Sequence, residues 1–465
     1  MATATTEIVD IHAIQENKTN YDDNIMDVNN NDEGPTTKKK CCTSSRCDVY
    51  NGNVDAIGLS WLAIGRGMLI MSNIFLATSL LWLAKNAAGC DMDVPPDNTK
   101  ANICDKSIHG MKADTFITNI AMISAILAAL FMPVCGAIVD YTPHRKLVGI
   151  VTATILIGLE VVQIGTTKQT WFAMGIIQAI KAFIFQLQIV VVFAYMPDIS
   201  RQVDETTMTK FSSQISAGQY FASILFLVVI TVISQLSHSS AVVTSHISQG
   251  LNTCTSIVFF GIGWYQLTPR PAVRKLPEGN WLLFEGYRQN WNTAKSVQHY
   301  YKHGLRWYLL AVVFSEASAT SITTVSIVYL SSSIQLSTTQ VGIFFIITLV
   351  ATSGGTFWAT FVTNRTNPNT SWKLSMVYLF VVLMIGALVL DDIPQNLKEL
   401  SYIWAIFVGL GLGWYYPTEH LFFSMCLPVG QEAEFAGFWT YCGQILAWFF
   451  PLLFSVLIEN NISQK

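Results

Sequence analysis

A chain of 465 residues with 51% hydrophobic and 12% charged residues carries about half the charge density of an ordinary soluble domain. That excludes a water-soluble globular protein and leaves one bundle of roughly a dozen membrane-crossing helices. A net charge of only −3 offers no polyanion-binding surface, so no nucleic-acid partner is expected.

Residues 1–55 are polar and rich in Asn and Asp, with no apolar core long enough for a secretory signal. They are expected to form a disordered cytosolic tail. The first span then serves as its own signal anchor. Lys38-Lys39-Lys40-Cys41-Cys42 resembles a basic, palmitoylatable patch, though a solvated tail is the plainer reading.

Continuous apolar runs of roughly bilayer length follow near 57–84, 114–139, 147–165, 171–196, 212–236, 241–267, 306–330, 339–363, 372–390, 401–427 and 433–458. Short alternating segments, the signature of a membrane barrel, are absent from the pattern. The predicted fold is therefore an all-α membrane protein. A polar stretch over 268–305 divides about eleven spans into six and five. Six plus six with a long central loop is the layout of major facilitator transporters, and the twelfth span is missing here. The expected domains are the tail (1–55), a six-helix bundle (56–267), a cytosolic central loop (268–305) and a second bundle of about five helices (306–465).

Lys and Arg collect on the side that carries the N-terminus, which predicts a cytosolic N-terminus and, with an odd number of spans, a lumenal C-terminus. In the central loop Phe284, Tyr287, Trp291, Ala294 and Tyr301 recur at helical spacing, as in a helix lying on a membrane surface or a connector touching neighbouring spans. Cys90 and Cys104 share the first lumenal loop and are either a disulfide or two free thiols. The remaining cysteines lack metal-ligand spacing, no nucleophile–base cluster stands out, and neither metal, cofactor nor enzymatic activity is expected. Asn461-Ile462-Ser463 is a glycosylation sequon too near the membrane for much modification.

Ionisable groups within spans are costly and point to function. Arg66 lies in the first span, Glu160 in the third, Lys181 in the fourth, Glu316 in the seventh, and Glu419 with His420 in the tenth. In a facilitator the first, fourth, seventh and tenth spans line the cavity, and all of these groups except Glu160 fall there. Gln178, Lys181 and Gln188 share one face of the fourth span, and Glu316, Thr320 and Thr323 one face of the seventh. Tyr415, Tyr416, Glu419 and Ser424 surround His420. A basic group opposite an acidic, hydroxyl-rich one suits a zwitterion. The bland alternative is a structural Lys181–Glu316 ion pair between the halves. Arg66 could snorkel to the surface, and Glu160, with Gln163 one turn on, reads as structural.

Gly136, Asp140, Arg145 and Lys146 follow the second span in the pattern of the facilitator loop signature, whose aspartate latches one conformation, although Pro143 stands near where a glycine is usual. Farther on, Pro428, Gly430, Glu432, Ala433, Glu434, Phe435, Gly437, Phe438 and Pro451-Leu452-Leu453-Phe454 form a second constellation. With the glycine-rich tenth span, this stretch resembles the vacuolar amino-acid effluxers of autophagy, the autophagy-related protein 22 family. "YMPDIS" at Tyr195–Ser200 and "FSEASAT" at Phe314–Thr320 are similar to two further elements of that family, with Asp198 and Glu316 in place of its glutamate and aspartate. Phe450 replaces a glycine, His420 stands near a usual arginine, and an aromatic first-span element of the family is missing.

The resemblance implies a secondary transporter that exports amino acids or similar small zwitterions from a vacuole-like compartment to the cytosol, with protons as a second partner. Coupling would run through Glu316 or the Glu419–His420 pair. A sugar or drug facilitator, or a receptor or scaffold that keeps the fold, is the alternative.

Overall fold

The computed structural model describes Tyr50 and residues 53–90, 106–200, 205–272, 276, 281–300, 304–390, 398–426 and 432–460. Lys38–Cys42, Cys104, Pro428, Gly430 and the Asn461 sequon lie outside them. So do the side chains of Glu432, Glu434 and Ser424.

The first half contains α1 (Val54–Ala87), a two-residue hairpin β1 (Ser107–Ile108) and β2 (Met111–Lys112), a 3₁₀ turn (Ala113–Thr115), α2 (Phe116–Tyr141), α3 (Arg145–Gln163), α4 (Trp171–Phe193), a short α5 (Met196–Ser200), α6 (Glu205–Leu236) and α7 (Ala241–Gln266). A connecting helix α8 (Leu282–Tyr300) leads to α9 (Leu305–Ser332), α10 (Thr338–Arg365), α11 (Pro368–Leu390), α12 (Leu400–Cys426), α13 (Glu432–Ile445) and α14 (Phe449–Glu459). Helix is the form these segments take because each bonds its own backbone polar groups, which hydrocarbon would otherwise leave unsatisfied.

Among the described residues nine helical segments are long and apolar enough to cross a membrane. α7 and α12 are as long but more polar, for reasons that appear at the site. The expected run 433–458 is one of the nine, as Gly437–Glu459, with its hydrogen-bond ladder interrupted between α13 and α14. Pro451 has no N–H to offer the carbonyl of Ala447, so the ladder fails there.

α1 runs through the middle of the bundle, against α4, α6 and α7 of its own half and reaching α9 and α10 of the other. Glycines permit the closest crossings. A Cβ on Gly409 or Gly413 of α12 would lie 2.2 Å from Thr348 O or 2.0 Å from Thr352 O of α10. The four-residue spacing of these glycines puts both on one face, the small-residue packing of membrane helices. Large apolar side chains such as Phe221, Phe357, Phe380 and Leu388 stay exposed on the outside, where lipid takes the place of protein.

At the end where α1 finishes, the halves are joined by polar contacts. Lys85 Nζ lies 2.8 Å from Asp114 and 2.8 Å from Ser332 Oγ of α9. Glu459 of α14 accepts from the Lys112 N–H at 2.7 Å and from the Thr115 hydroxyl at 2.8 Å. Cys90, nearby, is disulfide-bonded.

α8 packs between α2 and α13 at the opposite end. Gly286 sits so close to Pro133 that a Cβ would be 2.0 Å from its carbonyl oxygen, and Tyr287 donates to Leu130 O. Trp281, Phe284 and Trp291 point outward. The aromatic face expected of this helix is thus presented to the surroundings, and Glu285, Thr293 and Val297 form its buried side.

Candidate functional site

Charged and polar side chains gather in three places. The first is inside the first half. Lys181 of α4 is fully buried; its ammonium donates to Gln163 Oε1 at 3.0 Å and Gln249 Oε1 at 3.2 Å. Glu160 Oε1 of α3 lies 3.8 Å from it and accepts from Asn252 Nδ2 of α7 at 2.7 Å. Gln163 donates in turn to Gln178 at 2.8 Å. Gln188 is buried beside Thr152 and, with its amide oriented to satisfy both neighbours, accepts from the Trp264 indole at 2.8 Å.

These contacts correct the sequence reading in two ways. Lys181 pairs with Glu160, not with Glu316. Gln178, Lys181 and Gln188 do share one helical face, but that face turns inward onto α3 and α7. The polarity of α7 has the same origin: Ser245, the adjacent Ser248 and Gln249, Asn252 and Ser256 recur every three to four residues on its buried side. That stripe was readable in the sequence and went unused.

The second place is the interior surface of the first half around Arg66. Arg66 does not snorkel: its side chain is only 6% exposed. Its guanidinium stands 5.3 Å over the Phe193 ring and reaches Gln219 Oε1 at 3.5 Å, while Nε is buried without a hydrogen bond. Among the described residues no carboxylate pairs with it. Gly67, the next residue, makes room for this arrangement by packing against Gln219 O and Ser223 of α6.

The third is in the second half. Glu316 of α9 faces Glu419 of α12. The Tyr415 hydroxyl lies 3.2 Å from Glu316 Oε1 and 2.8 Å from Ser315 Oγ. Glu419 is completely buried, and among the described residues neither of its carboxylate oxygens has a donor in good hydrogen-bond geometry, Tyr415 and Glu316 being its polar neighbours. No Lys or Arg among the described residues pairs with either acid. His420, next along α12, is exposed to open space and packs edge-on to Trp439, ring centroids 5.1 Å apart. Tyr416 is half-buried and lies near Glu316, Glu419 and Tyr220 of the first half. Tyr220 follows Gln219, the Arg66 partner, so the second and third places adjoin through α6. Thr320 bonds its own backbone, donating to Glu316 O at 2.9 Å.

The expected latch residues occupy the end of the bundle where α1 begins. Arg145 Nη1 donates to Ala194 O at 2.8 Å and to Asp198 Oδ2 at 3.1 Å, with its guanidinium 5.4 Å above the Tyr195 ring. Arg270 joins Asp198 to Asp55, which also accepts from the Thr268 N–H at 2.7 Å. Burial pushes the Tyr195 phenol up to about 12, so it remains a neutral donor to Thr268 O at 3.3 Å. Asp140 ends α2, half-buried, Gly136 has open space around it, and Lys146 Nζ lies 3.4 Å from Tyr265 O at the surface. Of the second motif, Glu432 and Glu434 fall in the first turn of α13, Phe435 is buried and Gly437 exposed.

The family described as "Vacuole effluxer Atg22 like" matches residues 58–465. No curated protein matches the chain. Among solved structures, the nucleoside transporter NupG in a mutant form is similar with a TM-score of 0.59 and 12% identity, over 87% of this chain and 92% of that one. The inward-open xylose transporter XylE from E. coli aligns with a TM-score of 0.56 and 12% identity, over 89% and 92%. Both likenesses show the fold, that of a major facilitator transporter.

Proposed function

The chain belongs to the Atg22-like vacuole effluxer family, and from that premise we propose that it carries amino acids or similar small zwitterions out of a vacuole-like compartment into the cytosol. One observation carries this reading: among the described residues, a buried arginine has no acidic partner in the first half, and a pair of acids, Glu419 buried and Glu316 half-buried, has no basic partner in the second. A buried charge needs a counter-charge. A zwitterion supplies both at once, its carboxylate to Arg66 and Gln219, its ammonium to Glu316 and Glu419. Tyr416, Tyr220 and His420 line the space between. A neutral sugar or nucleoside would leave all three charged groups uncompensated. Rocking of the halves, closed at one end through Lys85, Asp114 and Glu459, gives alternating access.

Proton coupling through Glu316 and Glu419 has a definite consequence. Two facing carboxyls must share a proton when no cation is near, and a substrate ammonium displaces it. Such competition makes exchange, which loads an acidic compartment instead of emptying it. Export needs either no coupling or a proton site elsewhere.

The test is counterflow in proteoliposomes, screened over amino acids, sugars and nucleosides. Amino acids such as leucine are expected to exchange. Exchange of a neutral sugar or nucleoside with no amino acid active would overturn the reading.

A further inference from the structure

The polar cluster inside the first half has more acceptors than donors. Glu160 Oε2, Asn252 Oδ1 and the hydroxyls of Ser245, Ser248 and Ser256 are all buried without a hydrogen-bond partner. Each of these residues is at most 1% exposed. Buried polar groups are rarely left so, and five in one cluster mark a place built around something small and mobile that hydrogen-bonds.

Their order along α7 gives direction. From the end where α7 begins come Ser245, Ser248, Gln249, Asn252 and Ser256 on one face, and His246, next to Ser245, binds Thr166 O at 2.6 Å. The stripe ends on Glu160, whose carboxylate lies within reach of the Ser256 hydroxyl and accepts from Asn252. At 3.8 Å the Lys181 ammonium is too far for a hydrogen bond to Glu160 and is held by Gln163 and Gln249 instead. Gln249 also donates to Ser72 O of α1 at 3.2 Å.

We propose that Glu160, with Lys181, is a proton-binding site separate from the substrate site, reached along the α7 stripe from the compartment side, and that it makes the transporter a proton symporter. This rests on the transport reading above. A proton entering along waters between the α7 hydroxyls binds Glu160 Oε2 and gives a neutral carboxyl; its release to the other side restores the carboxylate. Lys181 keeps its own proton throughout. The pair thus moves between net zero and net one positive charge.

That added charge is coupled to the substrate site through α1. Ser72 is six residues from Arg66, about 9 Å along the helix axis. Positive charge behind Arg66 strengthens its hold on a substrate carboxylate. Proton and substrate are bound together, and both run from an acidic compartment to the cytosol. The charged group facing Glu160 is Lys181 from α4; along α7 the nearest titratable group toward the compartment side is His246, on Thr166 O, and Arg66 on α1 is the next charge beyond Ser72. α3 adds none near it.

Two measurements on the whole reconstituted protein decide this. The infrared difference spectrum between acidic and neutral buffer is expected to contain a protonated-carboxyl band that Glu160→Gln removes and Glu316→Gln leaves. In proteoliposomes, a gradient of one pH unit is worth tenfold accumulation for one coupled proton. With leucine as the probe, wild type shows that tenfold effect. The charge-free double variant Glu160→Gln/Lys181→Met keeps leucine–leucine exchange and loses the gradient effect. Persistence of the whole infrared band in Glu160→Gln, or of tenfold accumulation in the double variant, overturns the proposal. If wild type exchanges no amino acid, the zwitterion reading fails by itself, and the infrared band still decides the proton site.

Discussion

Lys181 in the first half and Glu316 in the second are both charges on long apolar helices, yet their surroundings differ. Lys181 has a carboxylate within 4 Å and two glutamine carbonyls on its ammonium. Glu316 faces a second acid, and the donor near it is the hydroxyl of Tyr415. One half compensates its charge within its own bundle, and the other leaves it open. A charge that has a protein partner is compensated before any ligand arrives; a charge that lacks one can take its counter-charge from a ligand. Depth in the membrane does not separate these cases, but the partner does.

The largest expected effect is on the closed side of this comparison. Lys181→Met strands Glu160 as a buried unpaired charge, at a cost of about 3–5 kcal/mol. Thermal denaturation in detergent and abundance in membranes should both fall sharply, and Glu160→Gln on top of it should restore them. Glu419→Gln, by contrast, removes an acid that no Lys or Arg among the described residues pairs with, and should leave stability unchanged or higher. Equal destabilisation by the two single variants would break the contrast.

Arg66→Gln sharpens the open side. Loss of a buried charge contact to a ligand costs about 2–5 kcal/mol, so uptake should fall on the order of 100-fold. Because Arg66 has no acidic partner among the described residues, the variant should fold as well as wild type. Transport near the wild-type rate would remove Arg66 from the site.

A smaller effect is expected at the rim, where Arg270 is partly exposed. Asp55→Asn loosens the Asp55–Arg270–Asp198–Arg145 chain by about 1 kcal/mol after solvent screening. Transport rate should change several-fold with little change in apparent affinity. A loss of affinity at unchanged turnover would argue that the cluster acts on the site and not on the switch between conformations.

The helices were legible because the decision is local. A run of apolar residues long enough to span hydrocarbon must bond its own backbone, and no distant residue alters that. The 241–267 expectation and Ala241–Gln266 differ by one residue at a single end. The break before Phe449 was marked by Pro451 but read as continuous, since hydropathy does not register a missing N–H. The glycines of α12 showed that something packs closely, without showing that it was α10.

Which ionisable residues lie within the spans was also visible, because a charge in an apolar run stands out wherever it points. Their partners were not. Lys181 lies 21 residues from Glu160 and 135 from Glu316, and neither separation says which carboxylate it meets. Membership of one helical face was read correctly for Gln178, Lys181 and Gln188, but the rotation of α4 about its own axis decides whether that face looks into the cavity or into the bundle. That rotation is set by how α3 and α7 pack on it, through Gln163, Gln249 and Asn252, contacts made between segments distant in the chain. Local chemistry determined where the charges sit along each span; only the packing of helices against one another decided which were paired and which were left for a guest.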